Sequence, residues 1–382
     1  MPRTPTALSV WLLCLCASSF AQTTSVPPDS PRWELEAKAK PAEFQGRPSL
    51  LLEGGEAILK DLELRDGVID VDVAASSKRA FFGIQFRIDP ESGNAEWVYL
   101  RPHKSGLPDA IQYTPVLNHG IVWQIFSGPG FTAPVEIPRD TWFHLRLELT
   151  GAEAKLFVSD MDKPALVMTD LKSGNRKGLL ALAALTGSTY FSNFEVRATP
   201  DAPWQPNPPP MPPGTLTNWS LSPALDVADR NLERPLSRAD QEAIKWHDVA
   251  AEPPGFIVIN RYEQTPGITA TFEKDPSTRL APQKGMKVVY ARATINSDRD
   301  QVKKLCIGYS DEVSVFLNDQ ILYRGRSAQS FRDPGFLGIV SPENDAVYLQ
   351  LKKGRNELLL AVSEISGGWG FICRLEDGPS DH

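Results

Sequence analysis

Apolar residues recur at every second position through most of this chain, and helical spacing is almost absent. Seven segments of the first half alternate in this way: GVIDVDVAA (67–75), AFFGIQFRI (80–88), EWVYLRP (96–102), GIVWQIF (120–126), TWFHLRLEL (141–149), AKLFVSD (154–160) and TYFSNFEVR (189–197). Successive side chains of a strand point to opposite faces, so a period of two marks strands with one side on a core. Gly, Pro, Asn and Asp clusters separate the runs, the spacing of an antiparallel sandwich. The second half repeats the pattern in KVVYARATI (287–295), KKLCIGY (303–309), EVSVFLN (312–318), QILYRG (320–325), AVYLQL (346–351), NELLLAV (356–362) and WGFICRLE (369–376). Asn318-Asp319 predicts a tight hairpin turn and Lys353-Gly354-Arg355 another. One helix is expected, from Ser237 to Trp246, with Ser237 as its N-cap and Asp240 in its first turn.

Between the halves runs PDAPWQPNPPPMPPG (200–214), where eight of the first fourteen residues are proline. Neither a helix nor a central strand forms there, so a stiff spacer is predicted. The expected organisation is all-β: two antiparallel β-sandwiches of jelly-roll type, residues 32–199 and 215–378, held as two beads on the 200–214 linker. Residues 22–31 and the last few, from Gly378, read as loose ends.

Composition narrows the class. The chain has 382 residues, 41% hydrophobic and 23% charged, with a formal net charge of −7. No global positive field attracts nucleic acid. Residues 1–21 carry Arg3, an apolar run from Leu8 to Cys16, and small residues before Gln22, the pattern of a cleaved secretory signal. No segment has the length of a membrane span, so a secreted, uninserted protein is expected. Cys306 and Cys373 then remain. An oxidising compartment permits a bridge between them, whereas their opposite phases on their strands favour separate thiols.

Parity sorts the first half into faces. With Ile69, Val71 and Val73 on the core, Asp70 and Asp72 lie outside; likewise Gln85 and Arg87 lie outside Phe82, Ile84, Phe86 and Ile88. Trp97, Tyr99 and Arg101 share a face, and His144, Arg146 and Glu148 are opposed to Phe143, Leu145, Leu147 and Leu149. These groups are expected to interleave on one sheet surface. A sugar ring needs such a mixture, an aromatic plate for its C–H face and fixed donors and acceptors for its hydroxyls. The plain alternative is a solvated face with cross-strand charge pairs.

The stretch WVYLRPHKSGLPDAIQY (97–113), continued to Trp123-Gln124, resembles the concanavalin A-like lectin/glucanase superfamily, in particular laminin-G-like secreted bacterial proteins. The resemblance spans most of residues 45–198. It implies a curved jelly roll whose concave sheet takes glycan, and makes Tyr99, Arg101, His103, Asp109, Tyr113 and Trp123, together with Trp97, the candidate carbohydrate-binding residues. The catalytic Glu-x-Asp-x-(x)-Glu strand of the laminarinase-type branch is missing. Asp70 and Asp72, with Glu148 from another strand, are the nearest acids for a glycoside hydrolase. Residues 287–376 resemble a galactose-binding-like accessory module through GYSDEVSVFLND and GRNELLLAVSEISGGWGFICRLE. This puts Asp311, Glu312, Arg332 and Asp333 on a nominal loop rim. Trp369 is either a core plug or a sugar plate.

Other chemistries find no support. The chain has no Gly-x-Ser-x-Gly elbow, phosphate-cradling Gly loop or His-Glu-x-x-His helix. Its five histidines have no metal-ligand spacing, so no metal or cofactor is expected, with a structural calcium left open through loop oxygens. The sequence points to a polysaccharide or glycan partner and a non-catalytic carbohydrate-binding role. A glycoside hydrolase and a structural or adhesion module of the cell envelope are the alternatives.

Overall fold

The computed structural model describes residues 23–75, 79–264 and 285–378, so the expected signal at 1–21 lies outside the described residues. The chain is all-β, and among the described residues four antiparallel sheets stack as two sandwiches. In the first sandwich one sheet runs in the order Leu166–Met168, Glu153–Val158, Phe143–Thr150, Gly67–Ala75, Thr189–Ala198, Arg47–Leu52, Lys40–Phe44. The facing sheet runs Gly120–Ile121, Ile111–Leu117, Asn94–Leu100, Phe81–Asp89, Gly178–Thr186, Gly55–Leu64, Trp33–Leu35. Alternation builds the core between them: Ile69, Val71, Val73, Leu145 and Leu147 from one side meet Phe82, Ile84, Val98, Leu100 and Leu182 from the other. Residues 23–26, expected to be loose, pair with Thr189–Ala198.

In the second sandwich a larger sheet contains Lys287–Ser297, Gly354–Glu364 and Glu312–Leu317, facing a smaller one of Phe256–Val258, Gly370–Asp377, Gln301–Ser310 and Asp345–Leu351. Val313, Val315 and Leu317 enter the core between these sheets. Phe316, on the other side of its strand, is covered by Val227, Leu232 and Leu236 of the preceding loops. A helix at Arg238–Ala243 follows Ser237, whose hydroxyl accepts the Asp240 N–H. Asn318 and Asp319 both have positive φ, as a two-residue hairpin needs. The Lys353-Gly354-Arg355 turn instead joins strands of different sheets. Cys306 and Cys373 are free and buried: Cys306 lies opposite Arg374 and Cys373 opposite Ile307, which puts their side chains on opposite sides of the sheet.

The halves are not beads on a rod. Phe256, Val258, Val340 and Ile372 extend the first core into the second half. Polar contacts add to this apolar join: Asn118 donates to the Asn260 carbonyl at 2.8 Å and Arg261 to the Lys172 carbonyl at 2.7 Å. The proline-rich segment lies against the first sandwich, with Trp204 under the Arg87 guanidinium and the Asn207 N–H on the Thr169 carbonyl. A stiff segment packed this way loses little entropy and fixes the approach of the second half.

Candidate functional site

Register decides which residues meet. Trp97 lies opposite Thr114 and Tyr99 opposite Gln112, so these four share the outer side of the second sheet of the first sandwich. Tyr113 lies opposite Val98 and faces the core. Its hydroxyl donates to buried Glu96 at 2.6 Å and accepts the Lys172 N–H. Tyr113 is thus a core residue, apart from the other candidates.

Trp97, Tyr99, Arg101, His103, Asp109 and Trp123 do come together. They line a cleft of about 440 Å³ that the second half closes on one side with Gln329, Leu337 and the Ile365–Gly368 turn. The base is a stacked pair, Trp97 on Tyr99 at 4.5 Å between centroids, and both rings are buried. The half-exposed aromatic rings of the cleft are Phe81 and Trp123. His103 packs edge-on against Phe81 at 5.1 Å.

Arg101 organises the polar side. Its guanidinium donates to the Tyr99 hydroxyl at 2.7 Å, to the Asp109 carbonyl at 2.7 Å, to the Asp109 carboxylate at 3.1 Å, and to Gln112. Tyr99 in turn donates to Gln112 at 2.7 Å, and burial, only partly opposed by Arg101, pushes its phenol up to about 12. Lys104 also binds the Asp109 carboxylate. His103 is held below the usual imidazole range by burial and by the charges of Arg79, Lys104 and Arg101, so it is neutral near pH 7. The side-chain atoms Trp97 Nε1 and His103 Nδ1 have no hydrogen-bond partner among the described residues.

The wall from the second half is held by two buried acids. Asp311 accepts the N–H groups of Ile365 and Ser366 at 2.8 Å, and Glu364 accepts that of Gly368 at 3.0 Å. Burial raises both carboxyls, Asp311 to about 6 and Glu364 well above its usual value. Gln124 clasps the halves: it donates to the Leu337 carbonyl, accepts from Ser310 Oγ at 2.9 Å, and its backbone N–H reaches the Gly367 carbonyl. Gly367 has φ of +101°, and a Cβ there would lie 2.2 Å from Gln124 Oε1. Trp369 is fully buried and donates to the Val362 carbonyl, the core plug of the two sequence readings.

Asp70, Asp72 and Glu148 lie elsewhere, on the outer side of the other sheet of the sandwich. The expected single surface is therefore two surfaces separated by the core. His144 bridges the acids, Nδ1 to Asp72 at 2.8 Å and Nε2 to Asp70 at 2.9 Å. Burial alone would lower the His144 pKa; the hydrogen bonds to Asp72 and Asp70 outweigh it and raise it. Arg146 binds Asp70, while Arg47 and Asn193 bind Asp72. His144 pairs with Asp72 and Glu148 with Val68, four residues away, which separates Asp72 and Glu148 by roughly 13 Å at about 3.3 Å per residue. Inverting glycosidases use about 6.5–9.5 Å. The arrangement is that of a surface ion-pair cluster.

Two further expectations change. Arg87 is fully buried rather than open: it has φ of +52° beside a register shift, which turns its guanidinium onto Asp66 and the Gly151 carbonyl. The rim of the second half is not a set of free groups. Asp311 is buried, Glu312 pairs with Arg326, Arg332 with Asp345, and Asp333 accepts the Gly335 N–H. Among the described residues no group of three or more His, Cys, Asp or Glu is placed to hold a metal, and no helix is long and apolar enough to cross a membrane.

No protein-family model matches the chain, and no curated protein does. Solved structures similar to part of it include the carbohydrate-binding module CBM66 from Bacillus subtilis, at 15% identity over 43% of this chain and 94% of that one, with a TM-score of 0.33. A protein of unknown function with a galectin-like fold, also from Bacillus subtilis, shares 13% identity over 46% of this chain and 94% of its own, at 0.34. A Bacillus licheniformis beta-glucanase shares 7% over 46% and 98%, at 0.33.

Proposed function

We propose that this chain is a secreted, non-catalytic carbohydrate-binding protein whose site is the cleft between its two sandwiches. The observation that carries the reading is the cleft's own chemistry: the half-exposed rings of Phe81 and Trp123 stand beside a fixed donor and acceptor set of Arg101, Lys104 and Asp109. Its volume of about 440 Å³ lies within the range of small-ligand sites, about 300–1,000 Å³. Rings take the apolar face of a sugar and the charged set its hydroxyls. Arg101 uses its NH1 and NH2 hydrogens on Tyr99, Gln112 and Asp109, so it fixes the shape and charge of the site while Lys104 and Asp109 remain for the hydroxyls.

The test is a glycan array followed by calorimetry on the best ligand. Phe81→Ala and Trp123→Ala should each weaken binding roughly tenfold or more in protein that stays folded by circular dichroism, with the melting temperature read alongside because both rings are partly buried. Absence of binding to any glycan, or full affinity in both variants, would overturn the assignment.

A further inference from the structure

The charge of the cleft runs against that of the chain. Overall the protein carries −7, yet the cleft is lined by Arg79, Arg101 and Lys104 against one carboxylate, Asp109. The second half lines it with no acidic side chain: its contribution is Gln329, Leu337 and the Ile365–Gly368 turn, behind which Asp311 and Glu364 are buried and turned onto the N–H groups of Ile365, Ser366 and Gly368. Asp109 is shared by Arg101 and Lys104, which leaves a surplus of about two positive charges in a partly enclosed space, where fields are screened less than at an open surface.

Arg79 is the lining cation without an acidic partner among the described residues. It is exposed, its guanidinium lies 5.3 Å over the Phe81 ring, and among the described residues it makes no ion pair. A cation placed against an aromatic ring at the mouth of a sugar-sized cleft suits an anionic substituent on a ring that rests on that same aromatic.

Resting on the carbohydrate reading above, we propose that the cleft selects acidic saccharides, with a carboxylate or sulfate of the sugar held by Arg79 beside Arg101 and Lys104 while the ring lies on Phe81. Both anionic groups accept from guanidinium in a bidentate fork, so the shared chemistry is a negatively charged sugar substituent.

Calorimetry with three oligosaccharides of equal length, a neutral glucan, a hexuronate and a sulfated glycan, tests this, with polyglutamate as a polyanion that carries no sugar. The acidic saccharides should bind roughly tenfold or more tightly than the neutral one, and the preference should shrink as salt rises from about 0.05 M to about 0.5 M. Arg79→Gln should remove most of the preference and Arg79→Lys restore part of it. The residue is exposed, so neither variant threatens the fold. Preference for the hexuronate assigns a carboxylate, and preference for the sulfated glycan a sulfate. Equal binding of neutral and acidic sugars overturns the selectivity and leaves the carbohydrate reading standing. No saccharide binding at all overturns both, and polyglutamate binding as tightly as the acidic sugars overturns the sugar-specific site.

Discussion

Replacing Asp311 by Asn should remove that residue's share of a pH-dependent weakness built into the wall of the cleft. Asp311 is 1% exposed, and burial, ahead of repulsion from Glu312, raises its carboxyl from 3.8 to about 6 despite the N–H groups of Ile365 and Ser366 and the Ser310 hydroxyl. An acid that holds its proton more tightly when folded stabilises the fold at low pH and loses that contribution as the pH rises through its folded value. The difference between 3.8 and about 6 corresponds to roughly 3 kcal/mol, lost between about pH 4 and pH 7. Glu364, also raised, acts in the same direction. Asn keeps an oxygen for the two backbone donors and has no charge to bury. Urea unfolding at a series of pH values, followed by tryptophan fluorescence, should show the variant gaining roughly 3 kcal/mol on the parent from about pH 4 to about pH 7. Parallel pH profiles for the two proteins, or a variant that loses ground as pH rises, would refute the reasoning.

Three other outcomes follow from the same contacts. Glu96→Ala strands the Tyr113 hydroxyl and the Ser173 N–H and hydroxyl that Glu96 accepts, and should cost about 3 kcal/mol or more by denaturant unfolding, with Glu96→Gln costing less. Gly367→Ala places a methyl group against Gln124 at a positive φ, so both a lower melting temperature and loss of saccharide affinity are expected, the latter by calorimetry. Asp72→Asn should leave saccharide affinity unchanged, because its site is across the core from the cleft, while lowering the His144 pKa seen in an NMR titration.

Local alternation made the architecture legible. The strand at Gly67–Ala75 coincides with the predicted run, and the remaining runs that became strands agree to within a few residues. Several strands escaped, among them Lys40–Phe44, Arg47–Leu52, Gly55–Leu64, Ile111–Leu117 and Gly178–Thr186. The last, GLLALAALT, reads as a continuous apolar run because Leu180 and Leu182 fill the core while Ala183 packs under Trp97 and Tyr99 on the other side. The alternation at 120–126 predicts a strand, but the chain turns after Ile121, where the Gln112 amide takes the Trp123 and Phe126 carbonyls.

The site was half legible for a physical reason. Parity states which side of its own strand a residue occupies, which correctly groups Trp97, Tyr99 and Arg101. It does not state which sheet the strand joins, so Asp70, Asp72 and His144 were placed with them although they face away from the cleft. Phe81 lies in the run 80–88, out of phase with Phe82, Ile84 and Phe86, but its phase does not say which sheet the strand joins, and Arg79 precedes that strand. Ser366 and Gly367 reach the cleft through contacts more than two hundred residues long in sequence, such as Gln124 to Leu337, and no local pattern encodes these.

The most direct test of the account is a crystal structure of the chain with the tightest oligosaccharide from the array. A sugar ring should lie against Phe81 and Trp123, within hydrogen-bonding reach of Lys104 and Asp109 and bounded by the Ile365–Gly368 turn. A saccharide seated instead on the Asp70, Asp72 and His144 surface, with the cleft unchanged, would contradict it.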